Sequence, residues 1–169
     1  MNALTHILLS AVLMGVGATL TFDLWGQCLK WLFKIPPSNI CLVGRWLGYM
    51  SAGAFRHVNI GSAAPKRSEC ALGWFAHYLI GCLFAGAFVA LVGRGWLQQP
   101  TPMPAIGFGL ITVLAPFFIM QPLMGLGLAA AKSPQPNQAR FRTVMNHAAF
   151  GVGLYLFAWL ANWLIGGYA

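Results

Sequence analysis

Four long apolar stretches divide the chain, at 4–29, 72–92, 103–131 and 144–165. A helix rising 1.5 Å per residue needs about 20 apolar residues to cross the hydrocarbon of a bilayer. Each stretch meets that length, so the pattern predicts four transmembrane helices. A fifth apolar segment at 40–55 is shorter. Its 16 or so residues would reach only about 24 Å, and it carries Arg45 internally. It reads as an amphipathic or re-entrant helix at the membrane surface. Pro36-Pro37 ends the preceding helix, and Ser38 or Asn39 caps the new one. Gly44, Gly48 and Gly53 would let this segment approach other helices closely. The predicted fold is an all-α integral membrane protein forming a single domain over 1–169.

Composition sharpens this class. Of 169 residues, 59% are apolar and 7% are charged, against about 45–50% and about 25% in soluble domains. Twelve charged side chains cannot cover a soluble surface, so a soluble globular domain, a disordered chain and a disulfide-stapled scaffold are excluded. The net charge of +8 points to orientation and anionic lipid head groups rather than nucleic acid, because no basic and aromatic residues interleave as base stacking requires. The first stretch lacks a basic residue before it and runs too long for a cleaved signal, so it is expected to stay as a span.

Charge also orients the spans. Lys30, Lys34, Arg45, Arg56, Lys66 and Arg67 fall in the connection 30–70, and Lys132, Arg140 and Arg142 in the third connection. The second connection holds only Arg94. The positive-inside rule therefore places both basic connections in the cytoplasm and both termini outside. A fifth span would split the nine basic residues six to three and spoil this asymmetry. Cys28, Cys41 and Cys70 are then expected at the cytoplasmic surface as reduced thiols, with Cys82 a small apolar residue inside a span. No zinc spacing occurs.

The two halves echo each other. Met14-Gly15-Val16-Gly17-Ala18 is matched by Met124-Gly125-Leu126-Gly127-Leu128, and H-x-x-x-G recurs as His77 to Gly81 and His147 to Gly151. Such a match would make the fold a 2+2 parallel repeat, with His77 and His147 at similar depth.

Polar residues inside a bilayer face protein or water, since an ionised group at its centre costs roughly 2.5–3.5 kcal/mol or more. Gly15, Thr19, Asp23 and Gln27 form one stripe on the first span, and Glu69, Gly73, His77 and Gly81 form another on the second. Small residues let the stripes pack closely and polar ones hydrogen-bond across them. Gln121 lies between Pro116 and Pro122, and Asn146 and His147 open the fourth span. Counted from the basic side, Asp23 lies about 9 Å deep, His77 about 8–10 Å, His147 about 5 Å and Gln121 about 15 Å. The outer half holds few polar groups beyond Ser10, Thr112 and Asn162. Asp23, Glu69, His77, Gln121 and His147, with Arg45 as counter-charge, are thus expected to line a polar chamber open to the cytoplasm. His57 reads as a loop surface residue, and Trp25, Trp31, Trp74 and Trp96 as interfacial anchors.

Four uses of such a cluster are weighed. It holds the bundle together through interhelical hydrogen bonds, binds or passes a solute, proton or lipid head group, uses His77 and His147 as ligands of a haem or transition metal, or supports catalysis. P-loop, dinucleotide, metalloprotease and nucleophile-elbow motifs are absent from the sequence. The expectation is a non-enzymatic chamber protein without a cofactor, the alternatives being a redox or metal protein and a structural or assembly subunit that meets a membrane partner or a second copy through its small-residue stripes.

The run Gly44-Arg45-Trp46, then His57, Glu69, Gly73-Trp74 and His77-Tyr78, resembles the bacterial family known as domain of unknown function 2938. Thr112-Val113-Leu114-Ala115-Pro116, Met120-Gln121-Pro122 and His147 with Gly151 extend the resemblance along nearly the whole chain. It implies a small bacterial inner-membrane protein and carries no activity.

Overall fold

The computed structural model describes residues 2–165. Its helices are α1 (Ala3–Phe33), α2 (Ile40–Met50), α3 (Glu69–Gln98), α4 (Pro102–Ile111), α5 (Gln121–Leu123) and α6 (Pro136–Ile165), with no strand among the described residues. Four helical segments are long and apolar enough to cross a membrane: Leu4–Phe33, Glu69–Gln98, Pro102–Leu123 and Pro136–Ile165. At 11 residues, α2 is too short to cross.

Helix α6 packs along α1 and α4, and α1 packs along α3. Met14 and Ala18 of α1, Ala85 and Phe88 of α3, Ala105 of α4, and Leu154 and Ala158 of α6 form the main core. Two glycine contacts set the spacing. A Cβ on Gly81 would collide with Thr19, and one on Gly109 would meet the backbone of His147 and Gly151. Small residues thus bring backbones together where a bilayer offers little hydrophobic drive between helices.

The helices differ from the expected spans at their ends. Helix α1 runs to Phe33 and stops where Lys34 turns left-handed, one residue before Ile35 and the Pro36-Pro37 pair. Helix α6 starts at residue 136, not 144, because Pro136 supplies a preset first turn and the polar residues that follow stay helical. The third stretch is broken. A π-helical turn covers Pro116–Met120, α5 ends at Leu123, and Gly125 and Gly127 adopt positive φ of 89° and 73°. The two prolines remove rungs from the ladder, and the chain after Leu123 leaves the helix to pair with a loop. There His57 N–H donates to the Leu123 carbonyl at 2.8 Å, and Ile60 N–H to Met124 at 3.0 Å. A second, smaller core of Trp46, Ile60 and Met124 results.

Gly15 and Gly125, matched by sequence, therefore do not correspond: Gly15 lies within α1 against Cys82, and Gly125 lies in a turn against Val58. The H-x-x-x-G pair fares differently. Gly81 packs on α1 and Gly151 on α4, each in a helix-to-helix contact.

Cysteine is also corrected. Cys41 and Cys70 form a disulfide, their Cα atoms 4.0 Å apart, while Cys28 and Cys82 are free. The reason is the crossing of α2 over the start of α3. A Cβ on Gly44 would overlap the Glu69 carbonyl and one on Gly73 the Ile40 carbonyl. The backbones meet there, and the cysteine beside each contact is carried into bonding range.

Candidate functional site

The two sequence stripes meet face to face between α1 and α3. Thr19 lies at Gly81, and four residues further along α1 Asp23 reaches His77. Asp23 Oδ1 accepts from His77 Nε2 at 3.0 Å, and Oδ2 accepts from the Tyr78 hydroxyl at 3.2 Å. Three rings pack edge-on around His77: Phe22 of α1 at 5.2 Å, and Trp74 and Tyr78 of α3 at 5.9 Å and 5.8 Å. Trp74, expected as an interfacial anchor, thus also forms part of the cluster.

Phe22 presents its other contact to His147, at 5.5 Å. The two histidines therefore contact the same phenyl ring. His147 Nδ1 lies 2.7 Å from the Thr112 hydroxyl, which itself donates to the Gly109 carbonyl at 2.6 Å. One hydroxyl proton serves one acceptor, so with that proton on the Gly109 carbonyl the contact to His147 requires the imidazole proton on Nδ1. Thr112, expected in the outer half, is instead the partner of His147, because α6 starts eight residues earlier than the apolar pattern suggests.

A cavity of about 120 Å³ opens beside this cluster, lined by Asp23, Gly26 and Gln27 of α1, Ser38 after the proline pair, Trp74 and Asn146. Asp23 keeps 19% of its side-chain surface exposed and His77 18%, so the carboxylate is reachable from the cavity. Asn146 is 1% exposed, and its Oδ1 has no hydrogen-bond partner. A buried amide oxygen left unpaired costs about 1–3 kcal/mol. It is a place where a donor is wanted.

The remaining expected residues lie elsewhere. Arg45 and Glu69 pair with each other where α2 crosses α3. Arg45 Nε donates to Oε2 at 2.8 Å and its Nη2 to Oε1 at 2.7 Å, while Nη1 reaches the Ala63 carbonyl at 2.9 Å. Lys66 N–H completes Oε2 at 2.8 Å. The carboxylate raises the basicity of Arg45, chiefly through this side-chain hydrogen bond. Gln121 is buried at a third place, its Nε2 3.5 Å from the Thr143 hydroxyl and its Oε1 unpaired. Among the described residues, no group of three or more His, Cys, Asp or Glu could hold a metal ion.

Phe22, Tyr78, Thr112 and Asn146 complete the cluster beyond the six residues expected. Phe22 carries no signal of its own in the sequence, one apolar residue among many in its stretch. Asn146 carried a signal, a polar residue beside His147 within an apolar run.

The fold and site define an all-helical protein with four bilayer-length apolar helices and a half-buried carboxylate-histidine-tyrosine cluster. A family model described as protein of unknown function (DUF2938) matches residues 12–161. The chain belongs to that family. Neither the curated proteins nor the solved structures compared with it give a match.

Proposed function

We propose that the cavity at Asp23 is a binding chamber for a small solute that donates hydrogen bonds, a protonated amine or a proton carried on water, in an inner-membrane protein without catalytic activity. The Asp23 carboxylate, which borders this cavity with one donor on each oxygen and acceptor capacity to spare, carries this reading, and buried Asn146 shares the lining. An ionised carboxylate only accepts, so a free lone pair on Asp23 selects a donor. Gln27 and Ser38 add adaptable polar contacts at the mouth. A lipid head group would enter by the same mouth with its amine first.

The nine-to-one segregation of basic residues supports a mouth facing the cytoplasm and termini outside. The Cys41–Cys70 bond argues for the opposite sidedness, since cytosolic thiols stay reduced. The charge segregation outweighs the disulfide as the determinant of sidedness. It acts during insertion, whereas the α2–α3 crossing holds the two sulphurs together in either redox state. A reporter fused after Ala169 that registers the cytoplasm would reverse this assignment. The paired glycine contacts, Gly81 on α1 and Gly151 on α4, support a duplicated hairpin behind the fold.

The test is calorimetry on protein in nanodiscs titrated with methylammonium chloride, against sodium chloride as control. Saturable binding that Asp23→Asn abolishes is expected. Equal heats from wild type and Asp23→Asn would remove the chamber from consideration and leave the cluster as an interhelical tether. Proteoliposomes carrying an internal pH dye separate binding from passage.

A further inference from the structure

The chain has two acidic side chains and ten Lys and Arg residues. Both acids are already engaged: Glu69 by Arg45, and Asp23 by His77 and Tyr78. Every other cation must find its counter-charge in water, at a head group or on a ligand. For an exposed lysine, water suffices. Arg142 is different.

Arg142 lies in the second turn of α6 and is partly buried. Its Nη1 donates to the Pro36 carbonyl at 2.9 Å, but its Nε is buried without a partner. A desolvated guanidinium needs an anion or further acceptors to offset its lost hydration. It lines a groove of about 440 Å³ between the end of α1 and the start of α6, together with Lys34, Ser133, Gln135 and Gln138. The Ser133 hydroxyl is likewise buried and unpartnered. Two cations thus line one opening, and two of its lining residues, Arg142 and Ser133, keep a buried donor without a partner. The first turn of α6 adds backbone N–H groups and the positive end of its dipole.

From this lining we infer that the groove binds a phosphate group, held by Arg142 and Lys34 with Ser133 as a further donor. Planar guanidinium and ammonium together suit a tetrahedral oxyanion: the first supplies directed donors and the second a point charge. Phosphate reaches this place either as the head group of an anionic lipid or as a free ion. The groove stands apart from the Asp23 cavity, on the other side of the Pro36-Pro37 turn, and the proposal does not depend on that cavity's ligand.

The experiment uses the full chain and two probes. In neutral detergent, inorganic phosphate is titrated while the unfolding midpoint is followed, with chloride at matched ionic strength as control. In nanodiscs of phosphatidylcholine with or without phosphatidylglycerol, lipid retained after extraction is counted by native mass spectrometry. A saturable rise with phosphate, or one phosphatidylglycerol retained per chain, is expected. Arg142→Gln should weaken the affinity roughly tenfold or more, as loss of a charged hydrogen-bonding group does, and Lys34→Gln severalfold. Arg94→Gln, in the connection that holds no other basic residue, should change nothing.

Arg142→Gln also removes the tie to Pro36. Lys34→Gln spares that tie and keeps the test decisive if the first variant unfolds. A phosphate response without phosphatidylglycerol retention assigns the free ion, and retention that phosphate does not displace assigns the lipid. The proposal is overturned if neither probe binds, or if Lys34→Gln and Arg142→Gln bind as wild type does.

Discussion

Glu69 and Asp23 are the chain's only carboxylate side chains, and both meet the same face of α3, Glu69 from within it and Asp23 from α1 opposite His77. Glu69 faces a guanidinium fork and a backbone N–H, so three charge-assisted donors crowd two oxygens. Asp23 faces one imidazole and one phenol, one donor per oxygen. A carboxylate has about four lone-pair sites, so Asp23 keeps acceptor capacity and Glu69 keeps little. Around Glu69 the backbones of α2 and α3 touch, whereas Asp23 borders a cavity. The first carboxylate fixes a helix crossing. The second can change partners without moving a helix. Identical chemistry serves shape at one end of the stripe and leaves room for a ligand at the other.

The largest effect should come from breaking the crossing. Gly44→Val drives side-chain atoms into the Glu69 carbonyl, and overpacking of this kind costs about 1–3 kcal/mol or more. It should lower the unfolding midpoint and also abolish the Cys41–Cys70 cross-link on a non-reducing gel, because one contact holds both. A cross-link that survives would show that the cysteines meet without the glycines. Glu69→Gln keeps the packing and removes only the charge. It should cost less stability than Gly44→Val and leave methylammonium binding intact. Loss of that binding would mean that the two ends of the stripe are coupled.

Asp23→Asn reverses the pattern. Interhelical hydrogen bonds in membranes average only about 0.6 kcal/mol, so its midpoint should move little while binding of the amine disappears. Gly26→Leu offers a second route to the same outcome. A Cβ on Gly26 meets only Asn146 and Pro37 at ordinary contact distance, so a longer side chain would occupy the cavity and leave Asp23 in place. Full binding by Gly26→Leu would place the ligand elsewhere.

Much of this arrangement is legible in the sequence. Four-residue spacing put Gly15, Thr19 and Asp23 on one line and Gly73, His77 and Gly81 on another, and the two lines meet because helices in a bilayer pack through small residues. Helix ends were harder. Residues 136–143 are polar enough to look like loop, yet Pro136 starts the helix there, which shifts His147 inward to Thr112. The stretch 124–131 is apolar enough to look like span, yet Gly125 and Gly127 take left-handed turns. The disulfide and the Arg45–Glu69 pair depend on how α2 lies over α3, a tertiary contact that no periodicity encodes. In the sequence Arg142 is one more basic residue of its connection for the same reason: its contact with the Pro36 carbonyl spans 106 positions.

The smallest effect, and the finest test of the comparison, is at Thr112. Its hydroxyl, bonded to the Gly109 carbonyl, favours the His147 proton on Nδ1, and His147 shares the Phe22 ring with His77. Thr112→Val keeps the shape and removes the oxygen. The loss of one interhelical bond should cost about 0.6 kcal/mol, near the limit of thermal measurement, so stability is the wrong readout. Nitrogen chemical shifts of labelled histidine report the tautomer directly. Wild type should show His147 protonated on Nδ1, Thr112→Val should show a mixture, and Thr112→Ser should restore the single form. Asp23 holds His77 independently, so the His77 signal should not respond to either change. A shift of His77 in Thr112→Val would join the two histidines into one network through Phe22, and the cluster would then act as a unit.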